Sequence, residues 1–466
     1  MTDDLWRLTA SQAVDLLRKG EVSSAELIDA AEARHGAVDS AVNAVPITCF
    51  DRARGKAADL SADSLLAGLP VVIKDYNDVE GLRTTRGSPL FADHIATRSD
   101  YLVERLEDRG AVVVGKSNVP EFAGANTFNP VFGATRNPWD TRLTAGGSSG
   151  GAAVAVATGM AWLAHGNDLG GSLRTPAGFN AVTGLRPSPG RVPRGPAPLP
   201  FDNLWVEGPI ARTVTDLALF LDALSGHHPG DPISLAAPRT SFREAVMVDT
   251  APVRVGWSPD LGMCTVDPEI VAICAEAAAG FAALGSDVVE ACPDFTDAFE
   301  SFMTLRALFM ANWMTPLLAT NRADIKPDIV WNVEKGQNLT AAEIGRAERA
   351  RGALVHRVAA FFGDHDILAC PVTQCPPFPV DQNYIDTIAG QKLNSYVDWI
   401  SITFAITLTG CPALTVPCGF TKDGLPVGLQ LVGKPRGEAR LLAAGRQLEE
   451  MMGIAGRLPI DPRVRH

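Results

Sequence analysis

One stretch constrains this chain more than any other: Thr144 to Arg174, TAGGSSGGAAVAVATGMAWLAHGNDLGGSLR. Gly-Gly-Ser-Ser-Gly-Gly opens it, small apolar residues follow, and Asp168-Leu169-Gly170-Gly171-Ser172 closes it. The pattern predicts one buried helix and a short extended return, with serines in a glycine-rich loop at either end. Glycine permits positive φ and close backbone approach, so such loops can aim several N–H groups at one point. Aimed N–H groups beside a serine hydroxyl are what acyl transfer needs, an oxyanion hole next to a nucleophile.

Two other readings compete. A flexible Gly/Ser linker would join polar segments, whereas this loop runs straight into Ala152-Ala153-Val154-Ala155-Val156-Ala157. Gly146 to Gly150 also fits G-x-S-x-G, the elbow that presents a nucleophilic serine after a hydrophobic strand. The preceding Arg136-Asn137-Pro138-Trp139-Asp140-Thr141-Arg142 is polar and broken by proline, which argues against the elbow.

Around this stretch, helical and extended patterns alternate. Two helices are predicted first, capped by Thr9 or Ser11 and by Ser23 or Ser24, with Gly20 ending the first. Val71-Val72-Ile73 and Ala111 to Gly115 are β-branched runs that predict buried strands. Between them Tyr101 to Arg109 reads as a helix, and Arg212 to Gly226 as another with Val214, Leu217, Phe220, Leu221 and Leu224 on one face. Further strands are predicted at 253–257, 288–289 and 367–371, and a pair within 412–432 turning at Lys422-Asp423-Gly424. Helices are predicted over 266–284 and 438–451. This alternation predicts an α/β fold with a parallel or mixed sheet and helices on its faces. No repeat or interdomain linker is evident, so residues 1–466 are expected to form a single domain. Its catalytic core would span about 60–230, with a helical excursion over about 297–362 shaping the substrate pocket.

Composition excludes several function classes. The net charge of −12 disfavours nucleic acid and anionic membranes as partners. No apolar run reaches membrane-spanning length. Met1-Thr2-Asp3-Asp4 lacks the basic start and apolar core of a secretory signal, so a cytoplasmic location is expected. The eight cysteines form no C-x-x-C pair and lie mostly in apolar surroundings, which predicts buried free thiols. The eight histidines show no ligand spacing, so neither a metal nor a cofactor is expected.

A serine nucleophile needs a base. His165 lies seven residues before Ser172, but a lone histidine between alanine and glycine is more often structural. Lys74 is the better candidate because it ends a buried strand, where sheet enzymes place reactive groups. To accept a proton it must be neutral, so its pKa, ordinarily about 10.4, would have to fall to roughly 7 at a cost of about 4 kcal/mol. Burial and nearby positive charge or N–H dipoles can supply that. The competing reading is a surface lysine paired with Asp75 or Asp78.

The chain resembles the amidase signature family. The resemblance rests on Gly68-Leu69-Pro70-Val71-Val72-Ile73-Lys74-Asp75, on Gly146 to Gly151 and on Asp168 to Pro176. Thr183 to Val192, Gly208 to Arg212 and Gly424 to Gln430 add to it, as does the 24-residue offset from Ser148 to Ser172. It implies an α/β/α sandwich around a large mixed sheet, and a Ser–cisSer–Lys triad. By motif, Ser172 would be the nucleophile, Ser148 the bridging serine after a cis peptide, and Lys74 the base. The oxyanion would lie against the N–H groups of Leu169, Gly170, Gly171 and Ser172. Ser149, Asp168 and Arg174 would support the loops.

Some positions depart from the family pattern. Asn167 stands where many relatives have serine or threonine, and is expected to tune the loop without touching the chemistry. Glutamine-using amidotransferase subunits resemble the chain around Gly133 to Trp139, but commonly have threonine at the position of Leu169 and glutamate at that of Phe128. Small hydrophobic or aryl amides are therefore the expected substrates, with Asn126, Phe128, Trp313 and Trp331 as candidate substrate-binding residues. An amidotransferase component delivering ammonia to a partner is the alternative. A small-molecule amide is the expected partner, and a homodimer is left open.

Overall fold

A computed structural model describes residues 4–465; Met1–Asp3, read above for a signal segment, lie outside the described residues. Eleven strands form one mixed sheet. Its order is Ile47–Thr48, Val112–Ser117, Pro70–Lys74, Leu163–Asp168, Val206–Ala211, Thr183–Arg186, Ala413–Phe420, Pro426–Gly433, Ile367–Pro371, Arg254–Trp257 and Asp287–Glu290. Helices cover both faces, as the alternating pattern predicts.

The helix starts follow the local chemistry. Thr9 and Ser23, not their neighbours Ser11 and Ser24, cap the first two helices, in reciprocal boxes with Gln12 and Glu26. The expected helical excursion is three helices, Ala298–Asn321, Pro327–Gln337 and Ala341–Asp364, the last capped by Thr340.

The sheet places the site through three adjacent strands. Pro70–Lys74 runs parallel to both Val112–Ser117 and Leu163–Asp168. Parallel neighbours finish on the same side, so Lys74 and the Asn167-Asp168 pair emerge together, the edge where open α/β sheets bind ligands. The predicted buried helix is Gly150–Ala157, every residue of it buried. Only small side chains let it seat that deeply, and its start brings Ser148 and Ser149 to the same edge. A strand does precede this loop, Asp140–Thr144, but it pairs with Arg136–Asn137 in a separate two-stranded ribbon. An elbow rising from the main sheet is therefore absent here.

Candidate active site

Lys74 is fully buried, and its Nζ donates to three oxygens. These are Ser148 Oγ at 2.7 Å, Ser149 Oγ at 2.9 Å and Asn167 Oδ1 at 2.6 Å. All three partners are uncharged. Burial pushes the Lys74 ammonium down to about 7, against the pull of Glu207 and Asp168, whose charges favour the protonated form. The surface-lysine reading fails on both counts, since Asp75 faces Lys116 instead, at 3.5 Å.

The Gly147–Ser148 peptide is cis. A side chain on Gly147 would run into the Ala125 carbonyl oxygen and Asn126, so the turn admits only glycine there. Thr127 braces the loop: its hydroxyl donates to Gly146 O at 2.8 Å and accepts from Gly150 N at 3.0 Å. The two serine loops are tied directly, Ser149 N donating to Ser172 O at 3.2 Å.

Asp168 organises the second loop. Its carboxylate accepts from Gly171 N at 2.9 Å, Leu173 N at 3.1 Å and Arg174 Nε and Nη2 at 3.0 and 2.9 Å. Arg186 adds a contact at 3.2 Å to the same carboxylate and one at 2.5 Å to the Asp168 carbonyl. Burial alone would raise this carboxyl, but the guanidinium groups of Arg174 and Arg186 outweigh it and hold it well below the usual carboxylate range. Arg174 in turn donates to Thr403 O, Gln430 Oε1 and Thr407 Oγ1 at 2.8, 2.6 and 3.0 Å. Gly171 takes φ +127°, and a side chain there would strike Thr403.

The structure brings Ser148, Asn167, Leu169, Gly170, Gly171 and Ser172 to one pocket. Of the expected oxyanion donors, Gly171 is already engaged by Asp168. Among the described residues, the N–H groups of Leu169, Gly170 and Ser172 have no protein acceptor. The facing wall is apolar and aromatic, with Phe302 and Met310 from the helical excursion and Tyr396, Trp399 and Ile400. Arg306 also lines it, its guanidinium held by Tyr396 Oη at 2.8 Å.

The four candidate substrate-binding residues lie elsewhere. Phe128 is 50% exposed and Trp331 41% exposed, and neither borders this pocket. Phe128 sits on a two-residue strand that turns its ring to solvent, away from the pocket that Leu169 lines. Asn126 is buried behind the loop, donating to Asn383 O at 2.9 Å. Trp313 lines an adjacent cavity of about 290 Å³, separated from the serines by Trp205, which borders both.

Sequence reading missed the Glu207–His165 pair, the Arg186 contact with Asp168 and the contact of Asn167 with Lys74. Glu207 is buried beside the site, accepting from Trp205 Nε1 at 2.9 Å and pairing with His165 Nε2 at 3.0 Å. His165 is thereby committed to Glu207. Nothing local in the sequence marks this pair; it arises because Leu163–Asp168 and Val206–Ala211 are antiparallel neighbours. Asn167 was expected to leave the chemistry alone, yet it touches the buried amine. Its departure from serine or threonine was the available signal.

The sequence pattern of the family described as Amidase matches residues 26–442. The chain belongs to the amidase family. It is 35% identical over 476 aligned residues to an acylamidase of Rhodococcus erythropolis, covering 98% of each chain. It is 33% identical to one component of the glutamyl-tRNA(Gln) amidotransferase of Moorella thermoacetica, covering 98% of this chain and 99% of that one. Its fold superposes on 6-aminohexanoate cyclic dimer hydrolase, solved with its substrate, with a TM-score of 0.89, 29% identity and 99% coverage of both. Among the described residues of this amidase, no helix is long and apolar enough to cross a membrane. Nor does any group of three or more histidine, cysteine, aspartate or glutamate residues there suit a metal ion.

Proposed function

We propose that this amidase cleaves carboxamides through an acyl-enzyme on Ser172, with Ser148 as relay and Lys74 as base. The observation that carries the reading is a fully buried lysine, its pKa brought to about 7, 2.7 Å from Ser148 Oγ. An amine so placed can accept a proton at neutral pH and return it.

Neutral Lys74 takes the Ser148 hydroxyl proton as Ser148 takes that of Ser172, and Ser172 Oγ attacks the carbonyl carbon. The Leu169 and Gly170 N–H groups, assisted by that of Ser172, stabilise the resulting oxyanion. Collapse breaks the C–N bond, and the proton held on Lys74 returns through Ser148 to the leaving nitrogen. Water attacks the acyl-enzyme by the same relay, releasing a carboxylate and restoring Ser172. The aromatic wall opposite the serines and Leu169 favours small hydrophobic or aryl acyl groups over glutamine, in keeping with the acylamidase relative. A cytoplasmic location fits eight cysteines that are all free thiols.

Fluorophosphonate treatment followed by peptide mass spectrometry tests the reading. The adduct is expected on Ser172 and absent from Ser172→Ala, whose fold should survive the loss of one oxygen. An adduct on Ser148 would overturn it. In a panel of anilides, aliphatic amides, cyclic amides and glutamine, the highest kcat/KM is expected for a hydrophobic amide; glutamine in first place would favour the amidotransferase alternative.

A further inference from the structure

The hydrogen-bond inventory around Lys74 is closed in a way that gives Asn167 a specific task. A protonated lysine has three N–H donors, and Ser148 Oγ, Ser149 Oγ and Asn167 Oδ1 take one each. When Lys74 is neutral it keeps two N–H groups and gains one lone pair, which any hydroxyl among its partners could engage. Ser149 is already committed, because its hydroxyl donates to the Asn167 carbonyl oxygen at 3.3 Å. It can therefore only accept from Lys74. The Asn167 side chain presents a carbonyl oxygen, which cannot donate at all. Two of the three directions are thus fixed as acceptors, and the lone pair is left facing Ser148.

The geometry points to Asn167 as a positioning residue that directs the Lys74 lone pair onto Ser148. Serine or threonine in its place would present a hydroxyl able to donate to that lone pair and compete with Ser148. The Asn167 amide N–H₂ is buried and has no protein acceptor, and the side chain borders the substrate pocket. Its orientation is therefore held from the Oδ1 side, by the lysine itself. The inference rests on the proposed role of Lys74 as base.

The charged groups nearest Lys74 are each engaged elsewhere. Asp168 ends the neighbouring strand and is neutralised by Arg174 and Arg186. Glu207, one strand further, is paired with His165, and Asp75, the residue after Lys74, is paired with Lys116. None of these contacts Lys74 directly, so a change at Asn167 acts on the amine without an intermediary.

The test is the pH dependence of Ser172 modification by a fluorophosphonate, which reads nucleophile activation without a substrate. Asn167→Asp keeps the shape and an acceptor but adds a charge, and should move the acid limb up by about 1 pH unit or more. Asn167→Leu removes the acceptor. It should move the limb down and lower the plateau rate roughly tenfold to a hundredfold, because the lone pair is no longer directed. In steady-state assays with 4-nitroacetanilide, the Asn167→Leu loss should fall on kcat with KM little changed. Unshifted limbs in both variants would overturn the inference. Should Asn167→Leu not fold, Asn167→Ser decides it: its hydroxyl can donate to the lone pair and should lower the plateau rate, and an unchanged plateau would overturn the inference. Lys74→Ala separates the two levels: if it still labels rapidly, the base assignment itself fails, whereas a dead Lys74→Ala beside unshifted Asn167 variants refutes only the role of Asn167.

Discussion

Two buried lysines sit on neighbouring parallel strands and have opposite surroundings. Lys74 and Lys116 are both 0% exposed, and burial lowers the pKa of each. Lys116 is in register with Ile73, one step from Lys74, so the two leave opposite faces of the sheet. Lys116 meets a carboxylate, Asp75 at 3.5 Å, and a hydroxyl, Thr84 Oγ1 at 2.7 Å. Lys74 meets two hydroxyls and an amide. Burial alone therefore does not single out the proposed base; what sets Lys74 apart is that its neighbours solvate it without neutralising it.

The strongest way to break this contrast is to remove the amine. Lys74→Ala should cost several orders of magnitude in kcat/KM, since it deletes the proposed proton acceptor behind both serines. Lys74→Arg should be nearly as damaging, because a guanidinium does not deprotonate in this range. An active Lys74→Arg enzyme would mean that another group is the base.

The acid limb sharpens the same point. In the proposed mechanism only neutral Lys74 works, so kcat/KM should fall by about tenfold per pH unit below a midpoint near 7. The neutral form gains as pH rises, so no corresponding loss comes from Lys74 on the alkaline side. A limb at about 4 to 5 would point to a carboxylate instead.

Lys116 should answer to stability and not to rate. Lys116→Met strands the Asp75 carboxylate in the interior and should destabilise the fold by about 3–5 kcal/mol, whereas Lys116→Met with Asp75→Asn should recover most of that. Urea melts of both, alongside activity per folded molecule, check it; a catalytic collapse in a well-folded double variant would erase the contrast between the lysines.

The smallest effect is expected at Leu169, where Leu169→Thr should shift the preference between an aryl and a short polar amide by roughly 10-fold or less. Competition assays with both substrates read it directly.

Much of the site could be read from the chain because its chemistry is written locally. Glycines mark the turns, Ser148 and Ser172 sit inside them, and Lys74 ends a β-branched run. Asp168 and Arg174 are close in sequence and meet in space. What was not legible depends on strand register and side-chain direction. Glu207 reaches the site by pairing across an antiparallel ladder, Arg186 arrives from a strand two places along the sheet, and Phe128 faces outward from a ribbon too short to show a period. Asn167 was visible as a departure, but its contact with Lys74 follows from two parallel strands ending level, which no single stretch encodes.

The tether from Arg174 to Thr403, Thr407 and Gln430 has a consequence for the order of synthesis. Ser172 leaves the ribosome more than two hundred residues before the groups that anchor its loop. Until those late residues arrive, Arg174 lacks three of its acceptors and the loop is held by the Asp168 contacts. A nascent chain that ends before Thr403 therefore carries Lys74, Ser148 and Ser172 without the Arg174 tether.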